Sequence, residues 1–400
     1  MTSILVVAER YWPDGGGGEL ATHLVVDVLK RRFDVVVVTG TKNPAKLPKV
    51  TYIHEPLLSK REKNILWLNA LRLARTQRFE GLLRKSDIVY VPRFAFPIIP
   101  YAKRMKKKVV VHLHDYIPIS YTATVLAPYE EHKHRITRDD IELECMKGLK
   151  HCLGVNLLWW LPRLARRWIS QADKVICVSR RQAEIIASQA PELKGKVKVI
   201  YNPLPSELAN AEPRKDLDGV PTFLYVGGDS YVKGFHILLQ ALKELGKQGI
   251  KARFILTGNY SIRSLEILKR LSRKYRNFEI QVVGRVEYEE LLEIHKKAWA
   301  LLFPSIWEET FGYAVLEASI LATIPMASAV GAIPELLSGT IASRYLSSPN
   351  NYIELVEEIA EICYLGADEV MAIGETLRRS MLKKFDLNNI ERNIIEVFSG

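Results

Sequence analysis

Three absences limit the classes of protein to which this sequence could belong. No apolar run reaches the roughly 18 uninterrupted residues that a membrane-spanning helix needs. The first residues, MTSILVVAERYWPD, lack a cationic leader and predict a buried strand in place of a signal peptide. There is neither a low-complexity segment nor a repeat. With 48% hydrophobic and 26% charged residues, the composition predicts a soluble globular protein.

Cysteine is also scarce. The chain has four, at positions 145, 152, 177 and 363, which is too few for a disulfide framework and predicts a reducing, cytoplasmic compartment. Cys145 and Cys152 form the only close pair, and without further cysteines nearby their spacing does not predict a zinc site. We therefore expect two ordinary thiols.

The positive charge is confined to one half of the chain. Residues 1–200 carry 35 Lys and Arg against 19 Asp and Glu, a net charge of +16, whereas residues 201–400 carry 22 against 26, a net charge of −4. A basic half indicates either a solvated cationic surface or attraction to anionic lipid or phosphate. No aromatic–basic reader motif accompanies the charge, so nucleic acid is not a predicted partner.

Short, continuous apolar runs recur along the whole chain. Examples are SILVVAE, DVVVVTG and KKVVVHLHD in the first half, and PTFLYVGG, ARFILTGN and AWALLFPS in the second. Strands of this kind are buried on both faces and are typical of parallel sheets covered by helices. The rhythm restarts after a Pro-rich, charged linker at 201–221. We expect Rossmann-like domains at 1–205 and 206–382, and a C-terminal helix at 383–400 that packs back on the first domain.

Ligands of doubly wound sheets bind beyond the carboxyl ends of the strands, so the strand-to-helix junctions are the places to search. Gly15 to Gly18 lie at the first junction, where glycines let backbone N–H groups approach an anion; a merely flexible loop is the alternative. Lys233 opens a helix in the second half, where the helix dipole opposes its charge, and this predicts an anionic partner.

Further polar side chains follow other predicted strands. His112 and His114 lie on one side of the strand in VHLHDYIP, and either could be a buried structural histidine. Asp216 and Asp218 resemble a metal-binding pair but lie in the linker, and we expect them to be solvated.

The segment WEETFGYAVLEAS, at 307–319, carries the most specific pattern. It places Glu309 in a loop at the predicted sheet edge and Glu317 two turns into the following helix, among apolar neighbours. Both carboxylates could face one ligand, with the amides of Gly312 to Ala314 directed at an anion between them. Acidic residues suit a helix start, which explains Glu309 but not Glu317.

Nearly the whole chain resembles the family 4, or group 1, glycosyltransferases with the GT-B fold. The motifs that carry the resemblance are the glycine loop at 15–18, HDY at 114–116, VICVS at 175–179, VIYNP at 199–203, VGG and KG within 226–234, TGN at 257–259, PSIWEETFGYAVLEA at 304–318 and GAIPELL at 331–337. This implies an α/β protein with two Rossmann-like doubly wound domains facing a cleft. The donor, a nucleotide-activated sugar, would bind in the second domain and the acceptor in the first.

The resemblance also implies roles for individual residues. Lys233 matches the lysine that neutralises the donor diphosphate, Glu309 the glutamate at the sugar end, and Glu317 the one that accepts hydrogen bonds from ribose. Amides in the segment Phe311, Gly312, Tyr313 and Ala314 would reach the sugar and phosphates. His114 would lie close to the reacting sugar, and Gly16 and Gly17 belong to the loop that closes on the phosphates.

One departure concerns charge. Many members carry an arginine five residues before the lysine, where this chain has Gly228; Arg285 is a candidate replacement. The resemblance implies a retaining reaction that needs neither a metal nor a cofactor. Two alternatives remain open: a sugar-nucleotide epimerase of the same fold, and a non-catalytic sugar-nucleotide-binding or assembly subunit.

The basic first half suggests where the acceptor is met. In LLWWLPRLARRWI, at 157–169, Leu157, Leu161, Leu164 and Trp168 share one helical face, and AKRMKKK at 102–108 adds charge. We expect the first domain to dock on an anionic membrane and meet a glycan or lipid-linked acceptor, so that the cytoplasmic protein is peripheral on the inner membrane face. The alternative is that the Leu/Trp face packs against the sheet. The sequence identifies neither the sugar, the nucleotide nor the acceptor.

Overall fold

The computed structural model describes residues 2–205, 208 and 215–399, and its chain divides into two compact units. Unit 1 comprises residues 1–125, 129–204 and 387–400; unit 2 comprises residues 126–128 and 205–386. Part of the predicted linker, residues 206, 207 and 209–214, lies outside the described residues. Each unit contains one parallel sheet with helices, so the α/β fold class predicted from the apolar runs is confirmed.

Unit 1 contains a seven-stranded sheet in the order β3-β2-β1-β4-β5-β6-β7. The strands are β1 Ser3–Ala8, β2 Asp34–Thr39, β3 Val50–His54, β4 Ile88–Val91, β5 Lys108–Leu113, β6 Lys174–Cys177 and β7 Val197–Val199. The helices are α1 Gly17–Leu29, α2 Lys63–Leu73, α3 Gln77–Lys85, α4 Ile99–Arg104, α5 Ile136–Met146, α6 Leu149–Leu158, α7 Leu161–Ile169 and α8 Arg180–Gln189.

Unit 2 contains a six-stranded sheet in the order β10-β9-β8-β11-β12-β13. The strands are β8 Thr222–Val226, β9 Ala252–Thr257, β10 Phe278–Gly284, β11 Ala300–Phe303, β12 Ile324–Ser328 and β13 Leu346–Ser347. The helices are α9 Phe235–Gln248, α10 Ile262–Lys274, α11 Tyr288–Lys297, α12 Tyr313–Ile320, α13 Ile333–Leu337, α14 Tyr352–Tyr364 and α15 Ala367–Lys384.

The last helix, α16 Leu387–Ser399, belongs to unit 1. Its Phe398 is buried edge-on against Tyr90 of β4, and Lys108 of β5 donates to the carbonyls of Val397 and Phe398 at 2.8 and 3.0 Å. The end of the chain is therefore held by the sheet of the first unit.

Edge strands such as β3, β7 and β13 lack the continuous apolar run that marks the central strands. β3 and β13 each lie at the edge of a sheet, and β3 has no buried residue. An edge strand has one neighbour and less cover, so its sequence need not be continuously apolar.

The expectation of two ordinary thiols at Cys145 and Cys152 is wrong. The two sulfurs are joined in a disulfide that links the end of α5 to α6. The two cysteines are seven residues apart, a spacing that does not by itself predict a disulfide. The chain turns between them at Gly148, whose φ is +122°. Cys177 and Cys363 remain free thiols.

Candidate functional site

The strand order reverses once within each sheet, between β1 and β4 in unit 1 and between β8 and β11 in unit 2. At such a switch point the two neighbouring chain segments leave the sheet in opposite directions and open a crevice in which ligands bind. Lys233 follows β8 and Glu309 follows β11, so the two predicted residues leave the unit 2 sheet at its switch point.

Lys233 and Glu309 form an ion pair there. The Nζ of Lys233 lies 2.6 Å from Oε1 of Glu309, and this is the anionic partner that the helix-dipole argument predicts for the lysine. The carboxylate is buried, whereas the lysine side chain is 32% exposed. The rings of Phe303 and Trp307 lie 5.4 and 5.3 Å from the ammonium, within cation–π range.

Glu309 is fixed independently of the lysine. Ser305 Oγ donates to its Oε1 at 2.8 Å, and Trp307 Nε1 donates to the same oxygen at 2.6 Å. Behind it, the amide of Ala332 donates to the Glu309 carbonyl at 2.8 Å. The segment GAIPELL therefore supports the Glu309 loop, and a Cβ at Gly331 would lie 2.1 Å from that carbonyl oxygen.

The Lys233 loop is held against the same strand end. Ile306 N donates to the carbonyl of Val232 at 2.9 Å. Gly234 caps helix α9 with φ +77°, and a Cβ there would lie 1.7 Å from the Pro304 carbonyl oxygen. Only glycine permits this approach, so the lysine is placed by backbone packing and not by its own ion pair.

The predicted anion-binding segment begins helix α12. Gly312 is its N-cap, with φ +90°, and the amides of Tyr313 and Ala314 fall in the first turn, where amides have no partner within the helix. Phe311 is buried beside Tyr313, with ring centroids 5.0 Å apart. The segment thus combines a rigid hydrophobic anchor with a helix N-terminus suited to an anion.

Glu317 is the fifth residue of α12 and is buried. Burial raises the pKa of its carboxyl group to about 7, while a hydrogen bond with Tyr288 of α11 lowers it. A carboxyl group with this pKa changes charge near neutral pH, which explains why an apolar helix face tolerates it.

Gly228 has a physical reason to be glycine. Its φ is +58°, and a Cβ there would lie 2.5 Å from the carbonyl oxygen of Asn259. The loops after β8 and β9 are bonded together, with Gly228 N donating to the Thr257 carbonyl at 3.1 Å. An arginine at this position would have to separate the two loops.

A cavity of about 710 Å³ lies in unit 2 between α10 and β10 and reaches the carboxyl ends of β9 and β10. Its lining includes Asn259 and Tyr260 after β9, Arg273 of α10, and Gly284 and Arg285 at the end of β10. The volume falls within the range of small-molecule sites, and two arginines supply positive charge. Arg285, the candidate replacement for the missing arginine, is therefore a cavity residue.

Unit 1 carries a second ionic cluster at its own switch point. Arg93, after β4, lies 3.3 Å from carboxylate oxygens of both Glu9 and Glu19. Burial raises the pKa of Glu9, opposed by Arg93; burial alone would lower the pKa of Arg93, but Glu9 and Glu19 raise it overall. The cluster is a buried, mutually compensating set of charges.

The glycine-rich loop contacts Glu19 and Arg93 of this cluster. Gly16 N donates to Oε2 of Glu19 at 2.9 Å, and Gly17 begins α1. A Cβ at Gly18 would lie 2.3 Å from Nη1 of Arg93 and 3.3 Å from Cβ of His114. The Gly16 amide, expected to face a phosphate, is thus occupied by a carboxylate, and the loop lies against His114.

His112 and His114 have different surroundings. His112 accepts or donates a 2.8 Å hydrogen bond with the Tyr90 hydroxyl, and burial lowers its pKa to about 3. Burial, His112 and Arg93 lower the pKa of His114 well below its usual value. His112 is the structural histidine, and His114 is a neutral imidazole beside the glycine-rich loop.

The structure groups the predicted residues by unit. Lys233 and Glu309 form an ion pair, and Phe311 to Ala314 and Glu317 share one loop and helix. In unit 1, Gly16 donates to Glu19, which pairs with Arg93, and Gly17 begins α1. Gly18 lies against both Arg93 and His114. Sequence reasoning missed Arg93, Glu9, Glu19, Ser305 and Tyr288. Arg93 could have been found from its place directly after the apolar strand in DIVYVPRF.

Two further findings concern metals and membranes. Among the described residues no three His, Cys, Asp or Glu side chains are grouped to hold a metal ion. Asp218, one of the two linker carboxylates, pairs with Arg253 at 2.9 Å. Within the same part of the chain, no helix is long and apolar enough to cross a membrane.

Comparison with known families and proteins identifies relatives of both units. Residues 15–208 match the family "Glycosyltransferase Family 4", and residues 210–375 match "Glycosyl transferases group 1". A phosphatidylinositol N-acetylglucosaminyltransferase gpi3 subunit from Schizosaccharomyces pombe is 26% identical over 48% of this chain and 43% of its own length. An uncharacterized glycosyltransferase, MJ1607 of Methanocaldococcus jannaschii, is 24% identical over 57% of this chain and 60% of its own length.

The chain thus spans about half the length of these two relatives. Among solved structures, Anabaena Alr3699/HepE in complex with UDP and glucose superposes over 100% of both chains with a TM-score of 0.71 and 18% identity. At that identity the likeness establishes the fold.

Proposed function

Since the chain belongs to the family 4 (group 1) glycosyltransferases and has the GT-B fold, we propose that it transfers a sugar from a nucleotide-sugar donor to a glycan or lipid-linked acceptor. The donor is a substrate, and the proposal includes neither a cofactor nor a metal. The observation that carries it is the Lys233–Glu309 pair at the switch point of unit 2.

The donor diphosphate replaces Glu309 as the partner of Lys233. The ammonium is part-exposed and has one carboxylate, so it can exchange that partner for a more highly charged anion. Glu309 keeps two hydrogen bonds, from Ser305 and Trp307, when the lysine leaves it. Glu309 therefore loses its cation in the exchange but keeps two hydrogen-bond donors at the same oxygen.

Other residues of unit 2 bind the diphosphate, the ribose and the nucleobase of the donor in this proposal. Amides of Gly312, Tyr313 and Ala314 stabilise the departing diphosphate together with Lys233. Glu317 accepts hydrogen bonds from the ribose in place of Tyr288. The cavity between α10 and β10 receives the nucleobase end, and Arg285 supplies the second cation.

Glu309 acts at the sugar end of the donor, where a fixed carboxylate can orient hydroxyls and stabilise positive charge that develops on the sugar. His114 of unit 1 is a hydrogen-bonding group for the reacting sugar in this proposal, and its lowered pKa supports the neutral form of the imidazole. Retention of configuration is part of the proposal by family membership. Positive charge from Lys233 and oriented amides supports departure of the diphosphate without a metal.

The acceptor belongs to unit 1 in this proposal, and a lipid-linked acceptor would make a cytoplasmic protein peripheral at the inner membrane face. The name of the Schizosaccharomyces pombe relative, which includes phosphatidylinositol, supports an acceptor with a lipid part.

The proposal is tested with a panel of nucleotide sugars. We expect one of them to raise the melting temperature and to be hydrolysed slowly by the purified protein. Stabilisation without any turnover would favour the non-catalytic binding subunit, and conversion to a different nucleotide sugar would favour an epimerase. Activity that is lost with EDTA and restored by manganese would contradict the metal-free part of the proposal.

A further inference from the structure

Exposed apolar side chains are concentrated on one short part of unit 1. Of the 14 large hydrophobic residues that are exposed in the described chain, six lie within residues 146–160. Leu149, Leu153 and Leu157 recur every four residues along α6, with exposures of 76, 57 and 73%. Met146 before the helix, and Trp159 and Trp160 after it, extend the stripe at both ends.

This stripe, Met146–Trp160, faces outward because the opposite side of α6 is anchored. Val155 is fully buried, and a Cβ at Gly154 would touch the hydroxyl of Tyr121. The Cys145–Cys152 disulfide ties the first turn of α6 to α5. A helix held on one side displays the three leucines at its surface, and soluble proteins seldom expose such a contiguous apolar patch without a partner.

The charged residues within the stripe and in the segment after it are of one sign. From Cys145 to Ala172 there is no acidic residue, whereas Lys147, Lys150, Arg163, Arg166 and Arg167 are basic. Of these, Lys147, Lys150, Arg163 and Arg167 are exposed, and Lys147 pairs with Glu144 of α5 at 2.5 Å. A groove of about 600 Å³ between α4 and α7 adds Lys103 and Arg104 to Arg167. The stripe and the segment after it therefore carry exposed cations that complement an anionic surface.

The apolar face expected from the sequence at 157–169 is not this surface. Leu161 is buried, Leu164 is half-buried, and Trp168 packs edge-on against Trp67 with ring centroids 5.2 Å apart. These three residues cover the unit 1 core, as the alternative interpretation predicts, because α7 starts only at Leu161. Of the four residues predicted to form that face, only Leu157 is exposed to solvent.

We propose that the stripe of α6 inserts into the interface of an anionic lipid bilayer, with the flanking lysines and arginines at the headgroups. Leucines penetrate the acyl boundary, and Trp159 and Trp160 occupy the interfacial layer that suits indole rings. The inference rests on the proposed function only in giving a lipid-linked acceptor a reason to be met there. Binding to lipid itself does not depend on catalysis.

The test is co-sedimentation of the full chain with vesicles of phosphatidylcholine alone and of phosphatidylcholine with 30% phosphatidylglycerol. We expect binding to the second and not to the first, reduced by salt. Replacing Leu149, Leu153 and Leu157 by serine should weaken binding at least tenfold. Replacing Lys150, Arg163 and Arg167 by glutamine should weaken it by about a hundredfold at low salt, at roughly fivefold per cation.

A matched control replaces three exposed apolar residues of unit 2, Ile262, Ile353 and Tyr364, by serine. This variant should bind as the wild type does. Brominated lipids should quench tryptophan fluorescence in the wild type and in the control but not in the leucine variant. Circular dichroism and donor hydrolysis by all variants show whether the fold and the proposed catalytic function are intact independently of lipid binding.

Two results would overturn the inference. One is that the wild type binds neither vesicle type at low salt. The other is a wild-type dimer, shown by sedimentation equilibrium, that the leucine variant converts to a monomer while neither protein binds vesicles, because the stripe would then join two copies of the chain.

Discussion

The two units place a cation at the same topological position but in different surroundings. Arg93 in unit 1 and Lys233 in unit 2 each follow a strand at the switch point of their sheet. Arg93 is 15% exposed and lies between two buried carboxylates, whereas Lys233 is 32% exposed and has one. Arg93, enclosed by two carboxylates, holds a loop together, whereas the proposed function requires Lys233 to exchange its single carboxylate partner for the donor diphosphate.

The glycines show the same contrast. In unit 1 the loop amide of Gly16 is satisfied by Glu19, a residue of the following helix. In unit 2 the helix that follows β11 begins at Gly312 without a side-chain cap. One helix N-terminus is occupied by the protein's own carboxylate, and under the proposed function the other binds the donor diphosphate.

The largest expected effect is on stability, through Arg93. Arg93→Met leaves Glu9 and Glu19 buried without their cation, and losing one partner of such a set costs about 3–5 kcal/mol. For a unit of this size we expect the melting temperature to fall by roughly 6–20 °C. Calorimetry measures it, with the exposed Arg84→Met as the control that should change little. An unaltered melting temperature would show that the unit 1 cluster is not a structural device.

The next effect is on rate, through Lys233. Lys233→Ala should retain the fold, because Glu309 keeps the hydrogen bonds from Ser305 and Trp307. Transfer, or donor hydrolysis, should fall about 10²–10³-fold with the loss of one oriented charge. Lys247→Ala, an exposed lysine of α9, is the control. Turnover within about threefold of wild type would remove Lys233 from the diphosphate role.

A smaller effect is the pH dependence of donor affinity. The pKa of Glu317 is about 7 without the donor, and hydrogen bonds from ribose would lower it by favouring the carboxylate. Binding then releases a proton, so affinity should rise about tenfold between pH 6 and 8.

Calorimetric titration with a nucleotide sugar measures this dependence. We expect Glu317→Gln to bind weakly at every pH. Glu293→Gln, which alters an exposed carboxylate of α11, should keep the wild-type profile. A flat profile for the wild-type protein would mean that Glu317 does not change its protonation on binding.

How much of this could be predicted from the sequence depends on the kind of signal. Central strands are buried on both faces, so their apolar runs reveal the two sheets, while the edge strands β3 and β13 have no such run. Motif positions such as Lys233 and Glu309 can be assigned by resemblance, but their 2.6 Å contact depends on loops that meet only in the folded unit.

Local packing explains the misses. Arg93 is joined to Glu9 and Glu19 across long sequence separations that no periodicity reveals. The face at 157–169 was predicted as one continuous helix, whereas a break at Trp159–Trp160 rotates the residues that follow it. The disulfide depends on a turn at Gly148 that brings α5 and α6 together.

The central claim is that the donor diphosphate takes Lys233 from Glu309. The most direct test is titration of Glu309→Gln with the nucleotide sugar, together with its turnover. Glutamine removes the competing charge and keeps the side-chain shape, so we predict donor affinity at least equal to that of wild type and transfer slower by about 10²–10³-fold. Donor affinity weakened tenfold or more, with turnover at saturation unchanged, would contradict the exchange.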